Sequence, residues 1–486
     1  QVLSQKKGSE ECLDVLIAEG FYQTAAILVD RAGARKRQEE KNQIIDRLSM
    51  HPIWGLPVFI GVMYLIFALT IGFGGAMGEF VSGILTLCLR LLPNDTFLFA
   101  LLDAVGQGLA TGIGFIPVLY MMYLLLSILE QSGYLARVVL LTDGVMRAMG
   151  LSGHAFIPML LGFGCNVPAI LSIRTISGRG QRLLTAIMMP FMSCSARLSI
   201  FVVFAATFFP SQGAVVVMAL YLLGIALGLV TVKILSYILN ETEEGGLTIH
   251  LPQYQRPQVD MVFKSVHFKM QGFIQRTLKY IVAFSSIFAL LSSIDIGLNI
   301  VAVDQSVLAI FSQKVAGGFG FMGIYEDNWP AVAALFSGLV AKEIVLTTLS
   351  TLYQMGDVVS SVGIQDFLVL GETFLLNIIT VPLQIFMVNM QSDTSYSLFY
   401  QYFSQASALA YMVFILLYFP CLSTLIVLKN EFGWFISSIS FLWSTMLAVW
   451  LSKLVYSGVG GGDICMLLIC FGVVVSVRRR YDANLA

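Results

Sequence analysis

Residues 162–175 read GFGCNVPAILSIRT. The stretch lies in an apolar region long enough for a bilayer, yet it is badly built for a helix. Two glycines and a proline surround one cysteine, and the run ends on Arg174. Proline has no N–H and clashes with the carbonyl four residues back, and glycine weakens a helix interior. Irregular backbone at bilayer depth is tolerated only where protein or a water-filled cavity surrounds it. The charges that follow decide the topology. Arg174, Arg179 and Arg182 would be carried outside if the segment crossed, whereas a re-entrant segment keeps both ends among cytoplasmic positive charges. His154–Arg174 is therefore expected to be broken and re-entrant.

The rest of the chain sets this segment in a membrane protein. Of 486 residues, 57% are hydrophobic and 12% charged, about half the charge of a soluble domain. The net charge of −1 says little, because the placement of Lys and Arg governs orientation. Cys12, Cys88, Cys165, Cys194, Cys421, Cys465 and Cys470 are an odd set, mostly in apolar runs. They form no CxxC pair and no zinc spacing with the four scattered histidines, which argues against a disulfide framework or a structural zinc. No phosphate-cradling loop and no HExxH motif occur, and no nucleophile–base set is recognisable. No signal peptide opens the chain, which begins with Gln and reads as a piece of something longer.

The expected fold is an all-α polytopic membrane protein with about eight to ten spans in two halves. Residues 1–50 form a cytoplasmic helical segment, with Leu13, Leu16, Ile17 and Phe21 at helical spacing. Its basic end, from Arg31 to Arg47, places the N-terminus in the cytoplasm. The first membrane half, 51–240, has spans near Trp54–Met77, Phe97–Leu129, Leu183–Phe209 and Gly213–Leu239. The second of these is expected to be interrupted at GQGLATGIGFIP. A cytoplasmic connector, 241–276, precedes the second half, 277–486. Spans there are expected near Thr277–Ile296, Trp329–Tyr353, Phe367–Met390, Ser404–Leu428, Trp434–Tyr456 and Ile464–Ser476. Between Lys342 and Lys429 there is no Lys or Arg to fix the topology, and the RRR near the C-terminus returns that end to the cytoplasm.

Three proline–cysteine neighbourhoods recur in apolar runs: GFGCNVP, MMPFMSCSARLSIF and LLYFPCLSTL. In a helix, Pro168, Pro190 and Pro420 would free the carbonyls of Gly164, Ala186 and Leu416. Each motif thus offers a thiol near a free carbonyl at membrane depth, and discontinuous helices are where transporters build their sites. Thiolate and thioether suit softer transition metals, and Met188, Met189 and Met192 add sulfur around Pro190. A membrane cysteine is also a small packing residue and Met a common filler, a reading that suffices for Cys88, Cys465 and Cys470. For Cys165, Cys194 and Cys421, each beside a breaker, both readings stay open. Arg197 would share a helix face with Pro190 and Cys194 if the helix continued. A central arginine costs roughly 2.5–3.5 kcal/mol on insertion scales, so it must face a partner or a cavity. Lys342 and Glu343 pose the same question, as a structural pair or as a cation or proton site.

At these residues the sequence resembles the membrane region of the FeoB family, bacterial ferrous iron transport protein B. The resemblance covers nearly the whole chain. GFGCNVPAILSIRT and PFMSCSARLSIFVVF resemble that family's first Gate motif, and VAALFSGLVAKEIVLTTLSTLY with ALAYMVFILLYFPCLSTL its second. Met355–Tyr400 matches the pattern poorly. The resemblance implies an inner-membrane Fe²⁺ importer, with Fe²⁺ as substrate. GTP and Mg²⁺ would enter only through an N-terminal G domain that lies outside this chain, so the chain itself is expected not to be an enzyme. Implied partners are that G domain, the lipid bilayer, small Feo accessory proteins and a homo-oligomer, with no nucleic acid. The expected metal path is Cys165, Cys194 and Cys421, with Asn166, Met189, Met192 and Glu343. Gly164, Pro168, Pro190, Arg197 and Pro420 would serve gating. The alternative is a Gate-type transporter of nucleosides or another small solute with a coupling ion.

Overall fold

The computed structural model describes residues 51, 54–90, 97–176, 178–239, 254–295, 297, 301, 305–340, 342–353, 371–372, 374, 399–418 and 421–457. The segment 1–50, Pro420 and the spans expected at Phe367–Met390 and Ile464–Ser476 fall wholly or mostly outside these residues. Among the described residues, the regular elements are helices. Six are long and apolar enough to cross a membrane: Pro57–Cys88, Gly108–Gln131, Arg179–Phe208, Gly213–Tyr237, Gln405–Phe432 and Trp434–Ser457. A bent pair at 110°, Val307–Met322 with Glu326–Leu339, makes a seventh if counted as one span.

Helices α1 (Gly55–Leu69) and α2 (Gly75–Arg90) form one span through a π-helical turn at Thr70–Gly74. Helix α3 (Phe97–Gln131) is continuous, with Pro117 inside it, so the interruption expected at GQGLATGIGFIP does not occur. Its glycines serve packing. A Cβ on Gly108 would meet the backbone nitrogen of Ser286 at 2.8 Å, and one on Gly114 would meet the Gly78 carbonyl oxygen at 3.2 Å. Small residues let membrane helices approach this closely, so α3 is wedged between α2 and α11 (Lys279–Ser293). The last of these continues α10 (Val259–Phe273) through a second π-helical turn at Ile274–Leu278. The end of the connector is thus part of a helix.

After α4 (Tyr134–Ala148) come α5 (Phe156–Gly164) and α6 (Asn166–Ser172), separated by the single extended residue Cys165. Pro168 sits in the first turn of α6, where its missing N–H is of no consequence. The two ends of this hairpin meet. Gln181 at the start of α7 (Arg179–Met188) accepts from the Ser152 amide at 3.0 Å and donates to the Gly150 carbonyl at 3.2 Å. Nine helical residues rise about 14 Å, roughly half the hydrocarbon core. The segment therefore goes in and comes back on one face, as its arginines require.

A second hairpin is the counterpart. Helices α13 (Trp329–Val340) and α14 (Ile344–Tyr353) are broken at Lys342 and Glu343, and the Tyr353 hydroxyl donates to the Asn328 side chain that precedes α13. Trp329–Tyr353 is thus not the span expected from its length: its two ends lie on one face. That face is opposite the first. Asn328 donates to the Tyr402 carbonyl in α15 (Phe399–Tyr402), and nearby Tyr400 and Gln405 donate to the Thr207 and Phe208 carbonyls. Those carbonyls end α8 (Ser195–Phe208), the far end of the span that α7 begins.

Two broken spans cross between the hairpins in opposite senses: α7 into α8, and α16 (Gln405–Leu417) into α17 (Leu422–Phe432). Phe204 packs its ring against Phe208, Phe399, Phe403 and Tyr411, joining α8 to α16 near the Phe208 face. At the other face, Arg174 after α6 makes a two-bond fork with Glu431 of α17, at 2.8 and 2.5 Å. The Glu431 carboxylate holds the Arg174 guanidinium above its ordinary pKa. The remaining elements are α9 (Gly213–Leu239), α12 (Val307–Ala316) and α18 (Trp434–Ser457).

Candidate functional site

Both hairpin tips and both helix breaks converge on one small cavity of about 80 Å³. The first tip contributes Cys165 and Asn166, and the first break Cys194, Ser195 and Arg197. From the second tip come Lys342 and Glu343, and from the second break Cys421, Ser423 and Thr424. Helices α1 and α3 close the side with Phe67, Phe115 and Leu119. Three thiols and a carboxylate from segments far apart in sequence thus share one space. All three cysteines are free thiols.

The first break has a local cause. Pro190 starts a tight turn, Met189–Phe191, after which Met192 and Cys194 are extended. The helix does not continue, so Pro190, Cys194 and Arg197 do not share a helical face as a straight helix would place them. Arg197 instead folds back. Its Nη1 donates to the Pro190 and Met192 carbonyls at 2.9 and 3.0 Å, and its Nη2 to the Tyr418 carbonyl at 3.5 Å. A guanidinium satisfies several carbonyls at once because its donors form a planar fork. At 1% exposure Arg197 ties the two broken spans together.

Of the carbonyls expected to be free, that of Ala186 is taken by the Met189 amide, and that of Gly164 accepts from the Ser195 hydroxyl at 3.4 Å. With its amide nitrogen turned toward them, Asn166 donates to the Gly162 and Met189 carbonyls at 3.2 Å each. It therefore locks the first tip to the first break. Cys421 Sγ lies 3.1 Å from Thr424 Oγ1.

Met189 and Met192 are fully buried and do not line the cavity. Met192 packs against Gly162 and Gly228, which leave room for it. Lys342 was noticed in the sequence, but its role needs the fold. It is 3% exposed, its ammonium sits 3.5 Å from the Tyr418 ring centre, and it has no hydrogen-bond partner among the described residues. The Tyr418 hydroxyl in turn donates to the Leu335 carbonyl of α13. Sequence reasoning missed Tyr418, whose only signal is its place one turn before Cys421.

Among the described residues, no three Cys, His, Asp or Glu side chains stand close enough to hold a metal ion. The thiols and Glu343 face a common cavity and do not form a finished cage.

The Gate family, described as nucleoside recognition, matches residues 112–208 and 274–435, which include the two hairpins with their broken spans. The family described as Ferrous iron transport protein B C terminus matches residues 217–269. The chain belongs to the Gate family. It is 36% identical over 489 residues to the Fe(2+) transporter FeoB of Legionella pneumophila (strain Lens), covering 94% of this chain and 65% of that one. It is 33% identical over 512 residues to the Fe(2+) transporter FeoB of Shigella flexneri, covering 96% and 66%, and 34% identical to that of Escherichia coli O6:H1 at the same coverage. The chain therefore spans just under two thirds of the length of these curated relatives. No solved structure matches it.

Proposed function

We propose that the chain forms the membrane pathway of a ferrous iron importer, with Fe²⁺ passing the cavity where Cys165, Cys194 and Cys421 meet Glu343. The observation that carries this is the convergence of thiols from three separate breaks on one cavity at membrane depth. Thiolate ligands suit a softer divalent metal, and the carboxylate adds charge. The ligands are not yet gathered, so the site is completed when the tips and breaks move together. Asn166 acts by fixing the first tip, and Met189 and Met192 act as packing. Gly164, Pro168 and Pro190 set the first tip and the first break.

The Arg174 face, which carries Arg179, Arg182 and Lys429, is cytoplasmic by the positive-inside rule. Both termini then lie in the cytoplasm and the bilayer is the bacterial inner membrane. Residues 51–240 and 277–486 form the two halves, each with one hairpin and one broken span. Inward movement of two charges gains about 4.6 kcal/mol at 100 mV, so GTP binding by a G domain outside this chain acts as a gate. A nucleoside would need paired hydrogen-bonding groups facing it. The amide best placed for that, Asn166, is committed to Gly162 and Met189.

The test is ⁵⁵Fe²⁺ uptake by the full-length protein in cells, at matched expression. Cys194→Ser keeps the size and removes the soft ligand, so uptake should fall at least about tenfold, while Cys88→Ser, exposed and away from the cavity, should be silent. Wild-type uptake by Cys194→Ser would make the thiol packing. Saturable nucleoside uptake by the same cells would instead favour the other Gate chemistry.

A further inference from the structure

A second, larger cavity of about 790 Å³ adjoins the first, sharing Ser195 and Glu343 in its wall. Its other charged wall residue is Glu79 of α2, and no Lys or Arg lines it among the described residues. Hydroxyls supply much of the rest, including Ser82, Ser285, Ser292 and Ser337. Their chemistry has a direction. Ser82 donates to the Glu79 carbonyl, Ser292 to Ala289 and Ser337 to Ala334, at 3.1, 2.7 and 2.8 Å. Each hydroxyl proton is thus given to the backbone; the Ser337 oxygen also accepts from the Thr348 hydroxyl at 3.0 Å, and the remaining oxygen lone pairs are left for the cavity. Ser285, 6% exposed, has a hydroxyl oxygen with no partner among the described residues. A buried polar atom of this kind is satisfied by water or an ion.

An acceptor-rich wall with two carboxylates suits a hard-solvated cation and disfavours an anion. The cavity is also on one side. Its wall starts at the first break, with Ser195, Ala196 and Ser199 in the opening turns of α8, and runs along α11 from Ser285 to Ser293 and along α14 to Leu352, next to Tyr353 at the Phe208 face, opposite the Arg174–Glu431 fork. We propose that this cavity is an external loading site, in which Glu79, Glu343 and the serine oxygens collect a divalent cation with its water shell before it sheds water to the cysteines. Glu343 belongs to both walls and hands the ion over. Glu79 is a positioning and selecting residue for which nothing in the sulfur chemistry gives a role. The inference rests on the cation-pathway reading above.

The test reads charge selection, whatever the cargo. In spheroplasts expressing the full-length protein, Ser285→Cys is treated from outside with a cationic and an anionic methanethiosulfonate. Rates at the introduced thiol are followed by peptide mass spectrometry and normalised to free cysteine. The cationic reagent should react about tenfold faster, the lower end of field focusing in a charged cleft. Adding Glu79→Gln should remove most of that preference, Glu79→Asp should keep it, and millimolar Mn²⁺ should slow the cationic reagent only where Glu79 or Asp is present. Ser199→Cys, on the same wall and exposed, gives the same readout if the first variant fails to insert. A ratio near one, a ratio unmoved by Glu79→Gln, or labelling from the inside alone would overturn the proposal. Loss of uptake in Cys194→Ser with a ratio near one would leave the iron reading standing and this one refuted.

Discussion

Replacing Arg197 measures what holds the two broken spans in register. Its guanidinium makes two short bonds to the Pro190 and Met192 carbonyls and a longer one to Tyr418. Hydrogen bonds to a charged group contribute about 1.5–3 kcal/mol each, so the two short bonds are worth roughly 3–6 kcal/mol before the cost of burying the charge. Arg197→Lys keeps the charge but loses the fork, and an ammonium there cannot meet three carbonyls in one plane. It should lose about 2–3 kcal/mol. Arg197→Met keeps the volume, removes every donor and leaves those carbonyls bare; it should lose about 3–5 kcal/mol. With an unfolding entropy of about 2.1 cal/mol/K per residue, a chain of 486 residues has roughly 1 kcal/mol/K. The expected drops in Tm are therefore about 2–3 °C for Lys and about 3–5 °C for Met. Intrinsic tryptophan fluorescence in detergent during slow heating reads both. A Met variant as stable as wild type would refute the reasoning, because it would mean the buried charge costs as much as its bonds return.

Two further outcomes follow from the packing. The Arg174–Glu431 fork is half in solvent, with Arg174 side-chain exposure of 59% against 12% for Glu431, so breaking it should cost about 1 kcal/mol. That shifts a closed-to-open equilibrium about fivefold: Arg174→Glu should speed thiol labelling of Cys421 from the Arg174 side by that factor, and adding Glu431→Arg should reverse it. Equal rates in both would show that the fork does not bar the path from that side. Gly108→Val should destabilise by about 1–3 kcal/mol, since its side chain meets the backbone of α11. Gly144→Ala, with nothing within 4 Å, should gain up to about 1 kcal/mol as a helical glycine replaced. Heating curves of the two variants check the contrast, and a stable Gly108→Val would mean that α3 and α11 can separate freely.

How much of this was legible depends on whether the deciding interaction is local. The tip at Cys165 could be read, because Gly164, Pro168 and three following arginines lie within one stretch. Its counterpart at Lys342–Glu343 could not. No Lys or Arg follows it until Lys429, so the charge rule has nothing to act on, and the bond that returns the chain joins Tyr353 to Asn328. Glycines misled in α3, because helix propensity is a weak prior that close packing against α2 and α11 overrides. The methionines misled for a related reason: Met192 fills the space left by Gly162 and Gly228, two partners 30 and 36 residues away in sequence.

The arrangement that the sequence hid also says where motion must be taken up. Each half contributes one hairpin and one broken span to the cavity, and the two hairpins enter from opposite faces. The short bonds of Arg197 stay within its own half, whereas its 3.5 Å contact to Tyr418 crosses to the other. Transporters built from such repeats move one unit against the other as near-rigid bodies. Any such movement here stretches the longest and weakest of the three bonds first, next to the ring that carries Lys342. The cavity would therefore open along the seam between Arg197 and Tyr418, and each half would keep its own break intact.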